Sequence, residues 1–303
     1  MPHRQAVALM LITTLMWSIA GVVSRHFDSA SGFELTFWRS AFNALALIVM
    51  LCVLRSPAAV WQSLRRGGRA LWLSGACWCV MFTAFMVALT LTDVANVLVT
   101  MALAPLFTAL ASRGLLGHRL LPRTWAAIAV AGLGIAWMYG QQVVGGEARH
   151  LLGTAIALCV PLAAASNWTL LQFIKNRRQA APVPGDDNSM LTAVLLGALL
   201  SAAITLPLAV PFAATAHDLG LLALLGTVQL AIPCLLAVAA ARVLPAPEIS
   251  LLALLEVVFG VAWAWLGTGE KPTPAVLGGG LLVLGALAAN EWVSLRQAGR
   301  VRA

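Results

Sequence analysis

ALTLTDVANVLVTMALAPLFTALASRGLLGHRLLPRTWAAIAVAGLGIAWM, residues 88–138, holds two long apolar runs on either side of a short basic turn. No charged side chain interrupts it between Asp93 and Arg113, and after Arg123 the next charge is Glu147. A bilayer core about 30 Å thick asks for roughly 20 consecutive apolar residues per helix, and both runs have that length. Arg113, Arg119 and Arg123 lie between them, a basic turn joining two segments that hydrocarbon tolerates.

Working outward, the same measurement finds uncharged runs between Arg4 and Arg25, Arg69 and Asp93, Arg149 and Lys175, Asp187 and Asp218, Asp218 and Arg242, and Lys271 and Glu291. Two more spans emerge if one charge each is accepted inside the membrane, Arg39 within 35–54 and Glu256 within 249–267. The reading is an all-α membrane protein with ten transmembrane helices over 6–24, 35–54, 70–91, 94–112, 124–140, 151–174, 190–213, 219–241, 249–267 and 273–290. Composition agrees: 61% of the 303 residues are hydrophobic and 10% charged, against roughly 25% charged in a soluble domain.

A net charge of +8 raises the question of nucleic acid, but in a membrane chain a basic excess reports topology. With the N-terminus inside, fifteen Lys and Arg fall on the cytoplasmic side and only Arg25, Arg149 and Lys271 outside, with Arg39 within a helix. Both termini are therefore expected in the cytoplasm of a bacterium, with the chain in its inner membrane and no nucleic-acid partner. The first apolar run reaches Ser24 and reads as a retained helix, not a cleaved signal. Cys52, Cys77, Cys79, Cys159 and Cys234 all fall within spans and read as small buried apolar residues, neither a disulfide framework nor a metal site. The two longer connections, 55–69 and 175–189, are basic at their start, and the second, KNRRQAAPVPGDDNS, reads as flexible.

The two halves resemble each other weakly. An offset of 151 places Trp17 over Trp168, and one of 152 places Phe107 over Phe259 and Gly117-His118-Arg119 over Gly269-Glu270-Lys271. An odd number of spans per unit inverts the second unit, so the expected organisation is two inverted five-helix repeats, 1–145 and 146–303, N-in and C-in.

The segment 88–138 resembles the EamA repeat of the drug/metabolite transporter superfamily, and 241–290 looks like its second copy. The resemblance rests on Pro105 within an apolar fourth helix, a Leu-Gly-Glu-Arg type turn at 116–119, a Gly-rich fifth helix, and Glu256-Val257 where members usually carry Glu-Pro. His118 and Val257 depart from that pattern. Within the superfamily the chain looks most like the group that includes the YddG-type aromatic amino-acid exporters. The resemblance implies a ten-helix transporter working by alternating access. Its central cavity would be lined by helices 1, 3, 4, 6, 8 and 9, with helices 5 and 10 peripheral.

Candidate substrate-binding residues follow from polar or aromatic side chains placed inside spans. Glu256 must face protein or water, as partner to a substrate ammonium, as proton carrier, or as a structural hydrogen bond. Trp17, Trp78, Trp168 and Trp263 sit away from the span ends, and Trp78, Phe82 and Phe85 follow the i, i+4, i+7 spacing of one face. Asn96, Thr100, Asn167 and Gln229 offer neutral hydrogen bonds to a ligand or glue between helices. Arg39 reads first as a snorkelling side chain reaching headgroups, and alternatively as an attractor of a substrate carboxylate. Gly132, Ala136, Gly278, Gly285 and Ala289 read as close-packing surfaces.

No span pairs two cations, which disfavours phosphorylated substrates. The five histidines lie in loops or at span ends, so no catalytic set is expected, nor any cofactor or metal. The expected activity is export of amino acids, aromatic ones among them, and related small metabolites. Proton-coupled drug or metabolite antiport is the alternative, with a membrane-embedded enzyme or a channel behind it. The expected partners are a small-molecule substrate and the lipid bilayer, and nothing in the sequence fixes whether the chain forms a homodimer.

Overall fold

The computed structural model describes residues 1–29, 32–116, 148–180, 189–268 and 273–302, with scattered positions between 122 and 137. Among the described residues every regular element is helical, and eight helices are long and apolar enough to cross a membrane. They are His3–Val23, Gly32–Arg55, Arg69–Leu91, Val94–Gly114, Ala148–Arg177, Met190–Ala209, Ala216–Ala241 and Ala246–Gly267. In the expected order these are spans 1 to 4 and 6 to 9. Span 10 is the helix Pro274–Arg302, apolar over Leu277–Ala286. Most of the fifth expected helix, 124–140, and most of the 175–189 connection fall outside the described residues, as do Gly132 and Ala136.

The dominant pairings close a ring. Span 6 packs on 3, 3 on 7, 7 on 2, 2 on 8, 8 on 1, 1 on 9, 9 on 4, and 4 back on 6. Exchanging 1 for 6, 2 for 7, 3 for 8 and 4 for 9 returns the same set of neighbours. Span 10 lies outside the ring, against spans 9 and 4. Within span 10, Gly278 meets the Trp137 ring, and a Cβ on Gly134 would stand 2.8 Å from the Gly279 carbonyl oxygen.

Lipid tails are as apolar as the side chains, so helices associate here through close backbone approach and interhelical hydrogen bonds. Both are present at ring contacts. Gly197 of span 7 lies against Trp78 and the Gly75 carbonyl of span 3, and Gly226 of span 8 lies against Arg39 and Asn43 of span 2. Ser201 Oγ sits 2.8 Å from both Ser40 Oγ and Thr83 Oγ1, which ties spans 7, 2 and 3. Ser74 donates to Asn167 at 2.6 Å between spans 3 and 6, and Thr108 meets Ser250 at 2.9 Å between spans 4 and 9. Asn167 therefore acts as glue.

Three spans are interrupted near their middles or just past them, where the sequence suggests continuous helices. Span 1 breaks at Ile19. Span 4 stops at Met101 and restarts at Ala104, because Pro105 has no N–H to give the preceding turn. Span 8 passes through a π-helical segment, Leu225–Ala231, just before Pro233.

The two ends of the ring are tied differently. At the end holding the N-terminus, His3 lies 2.8 Å from Glu248, Arg55 donates to Thr192 at 3.2 Å, and Lys175 donates to the Val243 carbonyl at 3.0 Å. At the opposite end two buried carboxylates hold the connection between spans 7 and 8. Glu34 accepts from the Ala213 and Ala214 N–H groups, while Asp218 accepts from the N–H groups of Asp28, Ser29 and Thr215. Arg25 donates there to the Leu89 and Thr92 carbonyls, and Arg149 to the Thr90 carbonyl.

One connection is partly helical, and one expectation changes. The 55–69 connection contains an amphipathic helix, Pro57–Arg66, started by a Ser56 cap and carrying Trp61 65% exposed beside Arg65 and Arg66. Of the five cysteines only Cys79 and Cys234 are buried, and Cys159 is exposed on the outer surface of span 6.

Candidate functional site

The ring encloses a cavity of ≈ 820 Å³, counted out to its open mouth. Trp17 contributes from span 1, Arg39 from span 2, Trp78, Met81, Phe82 and Phe85 from span 3, and Met101 and Ala104 from span 4. Span 6 supplies Val160, Pro161, Ala164 and Trp168, span 8 supplies Gln229, Leu230 and Cys234, and span 9 supplies residues from Ser250 to Val257, Glu256 among them. The interruptions of spans 4 and 8 lie on this wall, since Met101 and Ala104 flank one and Gln229 and Leu230 belong to the other.

One corner of the cavity is aromatic. Trp78 and Trp168 meet edge to face with centroids 5.7 Å apart at 90°, and Trp78 lies 5.5 Å from Phe82. Such pairs prefer edge contact because a ring is positive at its rim and negative on its face. Gly197 lets span 7 press against the backbone of span 3 and so sets where Trp78 stands.

Another corner is polar. Arg39 Nη2 donates to Gln229 Oε1 at 2.9 Å, and Gln229 Nε2 donates to the Trp17 carbonyl at 3.0 Å. The guanidinium lies 5.5 Å from the Phe85 ring centroid. This chain joins spans 2, 8 and 1, and Gly226 permits it. A Cβ there would stand 2.7 Å from the Arg39 carbonyl oxygen and 2.8 Å from the Asn43 nitrogen, forcing span 8 away. Arg39 and Glu256, 2% and 8% exposed, are the two charged residues of the lining.

Of the residues singled out from sequence, Trp17, Trp78, Phe82, Trp168, Gln229 and Glu256 are brought together on this wall. Three are not. Asn96 donates to Thr92 at the end of span 3, and Thr100 donates to the Asn96 carbonyl; both are buried and neither lines the cavity. Trp263 is 39% exposed and lies outside the lining, since its ring leaves span 9 towards the periphery.

Arg39 corrects the sequence reading, which sent its side chain outward to headgroups. A signal was present. Thr36, Arg39, Ser40 and Asn43 form a polar stripe at helical spacing, and all four are buried while Leu45, Ile48, Val49 and Val53 of the same helix are exposed. A polar stripe in an apolar helix faces protein.

Asp28, His217 and Asp218 place one ligand atom each within 4.8 Å of one another at the end of the bundle. The Asp218 oxygens are taken by the loop N–H groups and by the capping box of Thr215, which accounts for the cluster.

No curated protein matches the chain. A solved crystal structure of a protein is similar over nearly the whole length, with a TM-score of 0.64 at 18% identity, covering 95% of this chain and 98% of that one. At that identity the likeness is one of fold. From the sequence side, residues 4–140, which hold the first four spans of the ring, match the EamA-like transporter family.

Proposed function

We propose that the protein is an exporter of amino acids, aromatic ones among them, and of related small metabolites, resting in a bacterial inner membrane with both termini in the cytoplasm. The observation that carries this reading is the cavity itself. Its wall is drawn from seven spans, mostly uncharged and rich in aromatic side chains, with Glu256 as its single carboxylate. Interior aromatics suit an apolar or aromatic body, and Glu256 suits an ammonium group. The site proposed from the sequence comprises Trp17, Trp78, Phe82, Asn96, Thr100, Trp168, Gln229, Glu256 and Trp263, of which the six on the cavity wall are the contact residues and the other three outlying.

Alternating access between two inverted repeats, 1–145 and 146–303, is supported by the ring, whose neighbours are unchanged when the halves are exchanged. Interrupted helices at the cavity fit the same reading, because unwound turns near the midplane are where transporters bind substrate. The N-terminal match to a transporter family supports transport over catalysis.

Purified protein in liposomes should give saturable flux of labelled amino acids. Conductance without saturation would indicate a channel, and loss of flux for every amino acid, amine and drug offered would end the transport reading. Glu256→Gln separates coupling from binding. If it leaves both rate and pH dependence untouched, Glu256 has no part in either.

A further inference from the structure

Arg39 is the residue of the cavity that packing does not explain. It is 2% exposed inside a membrane span, where a cation is costly unless partners or water meet it. Gln229 accepts one bond from Nη2, and among the described residues Nε and Nη1 have no hydrogen-bond partner. No hydrogen bond therefore joins those two nitrogens to Glu256, although both side chains line the same cavity.

A guanidinium presents its donors as a planar fork that matches the two oxygens of a carboxylate. Nη2 has a second hydrogen, so the edge that Gln229 leaves, Nη1 with Nη2 or Nε with Nη2, keeps two buried and unpaired N–H donors that a carboxylate in the cavity would satisfy. Gln229 cannot swing aside to satisfy Arg39 further without giving up the Trp17 carbonyl. The guanidinium is thus held facing the cavity, with Phe85 beside it. Glu256 in the same lining disfavours a dianion, which leaves a monoanionic group as the fit.

We infer that Arg39, positioned by Gln229, binds the carboxylate of the transported molecule, so that the cavity selects carboxylate-bearing molecules with an apolar or aromatic body. This inference rests on the transport reading above. The polar corner takes the carboxylate, and the Trp78–Trp168 corner, on spans 3 and 6, takes the body.

The test is competition against labelled L-phenylalanine on the full-length purified protein, with L-phenylalaninamide and 3-phenylpropionate as competitors, alongside liposome flux of a wider panel. In the wild type the amide should compete at least tenfold more weakly than L-phenylalanine, and 3-phenylpropionate should compete measurably. In Arg39→Gln that tenfold ratio should collapse to within about twofold, and in Arg39→Lys it should fall between. An amide that competes as well as L-phenylalanine on the wild type overturns the inference, whatever the variants do. So does a ratio that survives Arg39→Gln. If carboxylate-free amines are carried by the wild type while L-phenylalanine shows no saturable binding, the role of Arg39 fails and transport stands. If nothing in the panel is carried, the transport reading fails and this inference falls with it.

Discussion

The two corners of the cavity are built on one plan and finished with opposite chemistry. The spacing of 151 residues that separates Trp17 from Trp168 also separates Trp78 from Gln229 and Gly75 from Gly226. In the aromatic corner Trp78 touches Trp168, and in the polar corner Gln229 touches Trp17. Each contact stands near a glycine that lets two spans approach, Gly197 on one side and Gly226 on the other. The difference teaches that the scaffold can repeat while the binding surface does not. A symmetric wall would bind a molecule either way round, whereas one aromatic and one cationic corner give it a head and a tail.

The comparison breaks most severely at its glycines. Gly226→Ala places a methyl group against backbone, and overpacking of this kind costs about 1–3 kcal/mol. We expect a lower melting temperature in detergent and loss of most flux, through separation of Gln229 from Arg39. A variant with unchanged melting and flux would show that the polar corner tolerates a wider gap. Gly197→Ala should destabilise by a similar about 1–3 kcal/mol, but its residual activity should lose preference for aromatic over aliphatic amino acids.

Trp168→Ala empties a buried site, a change that costs about 3–5 kcal/mol, so its effect is read as affinity in the protein that stays folded. The substitution takes from the wall one aromatic ring that the proposed substrate would meet, and since an aromatic pair is worth about 0.5–1.5 kcal/mol beyond burial, affinity for L-phenylalanine should fall roughly 2- to 12-fold. Alanine affinity should change by less than about twofold, and equal losses for both amino acids would deny the corner its selectivity. Gln229→Leu should act in the other direction. It removes one partner of a charged group, an interaction typically worth about 1.5–3 kcal/mol, so the rise in KM should exceed the fall in kcat if Gln229 only positions Arg39. The smallest effect is expected from Trp263→Ala, with flux within about twofold of wild type, because surface changes away from a site stay near ±0.5 kcal/mol.

Much of the fold was legible along the chain because hydrocarbon imposes a length rule that is local. The uncharged runs locate six of the eight described spans to within a few residues, and the other two, which required an internal charge at Arg39 and at Glu256, are also present. The site was legible in part. Trp17, Trp78, Phe82, Trp168, Gln229 and Glu256 drew attention as polar or aromatic groups far from span ends, and the cavity gathers them. Trp263 satisfied the same rule and faces outward, since distance from a span end says nothing about direction around the helix. Asn96 and Thr100 lie off the cavity wall, and each donates to a group four residues earlier in the chain, an option open to any short polar side chain.

The sequence by itself determined that this chain crosses a membrane as helices, and roughly where each begins and ends, because the transfer of charge into hydrocarbon is costly residue by residue. Only the tertiary structure decided which spans are neighbours, that Arg39 points inward to Gln229, and that one corner of the cavity is cationic and the other aromatic. Those outcomes depend on glycine contacts, helix interruptions and hydrogen bonds between residues far apart in the chain, and no local rule carries that information.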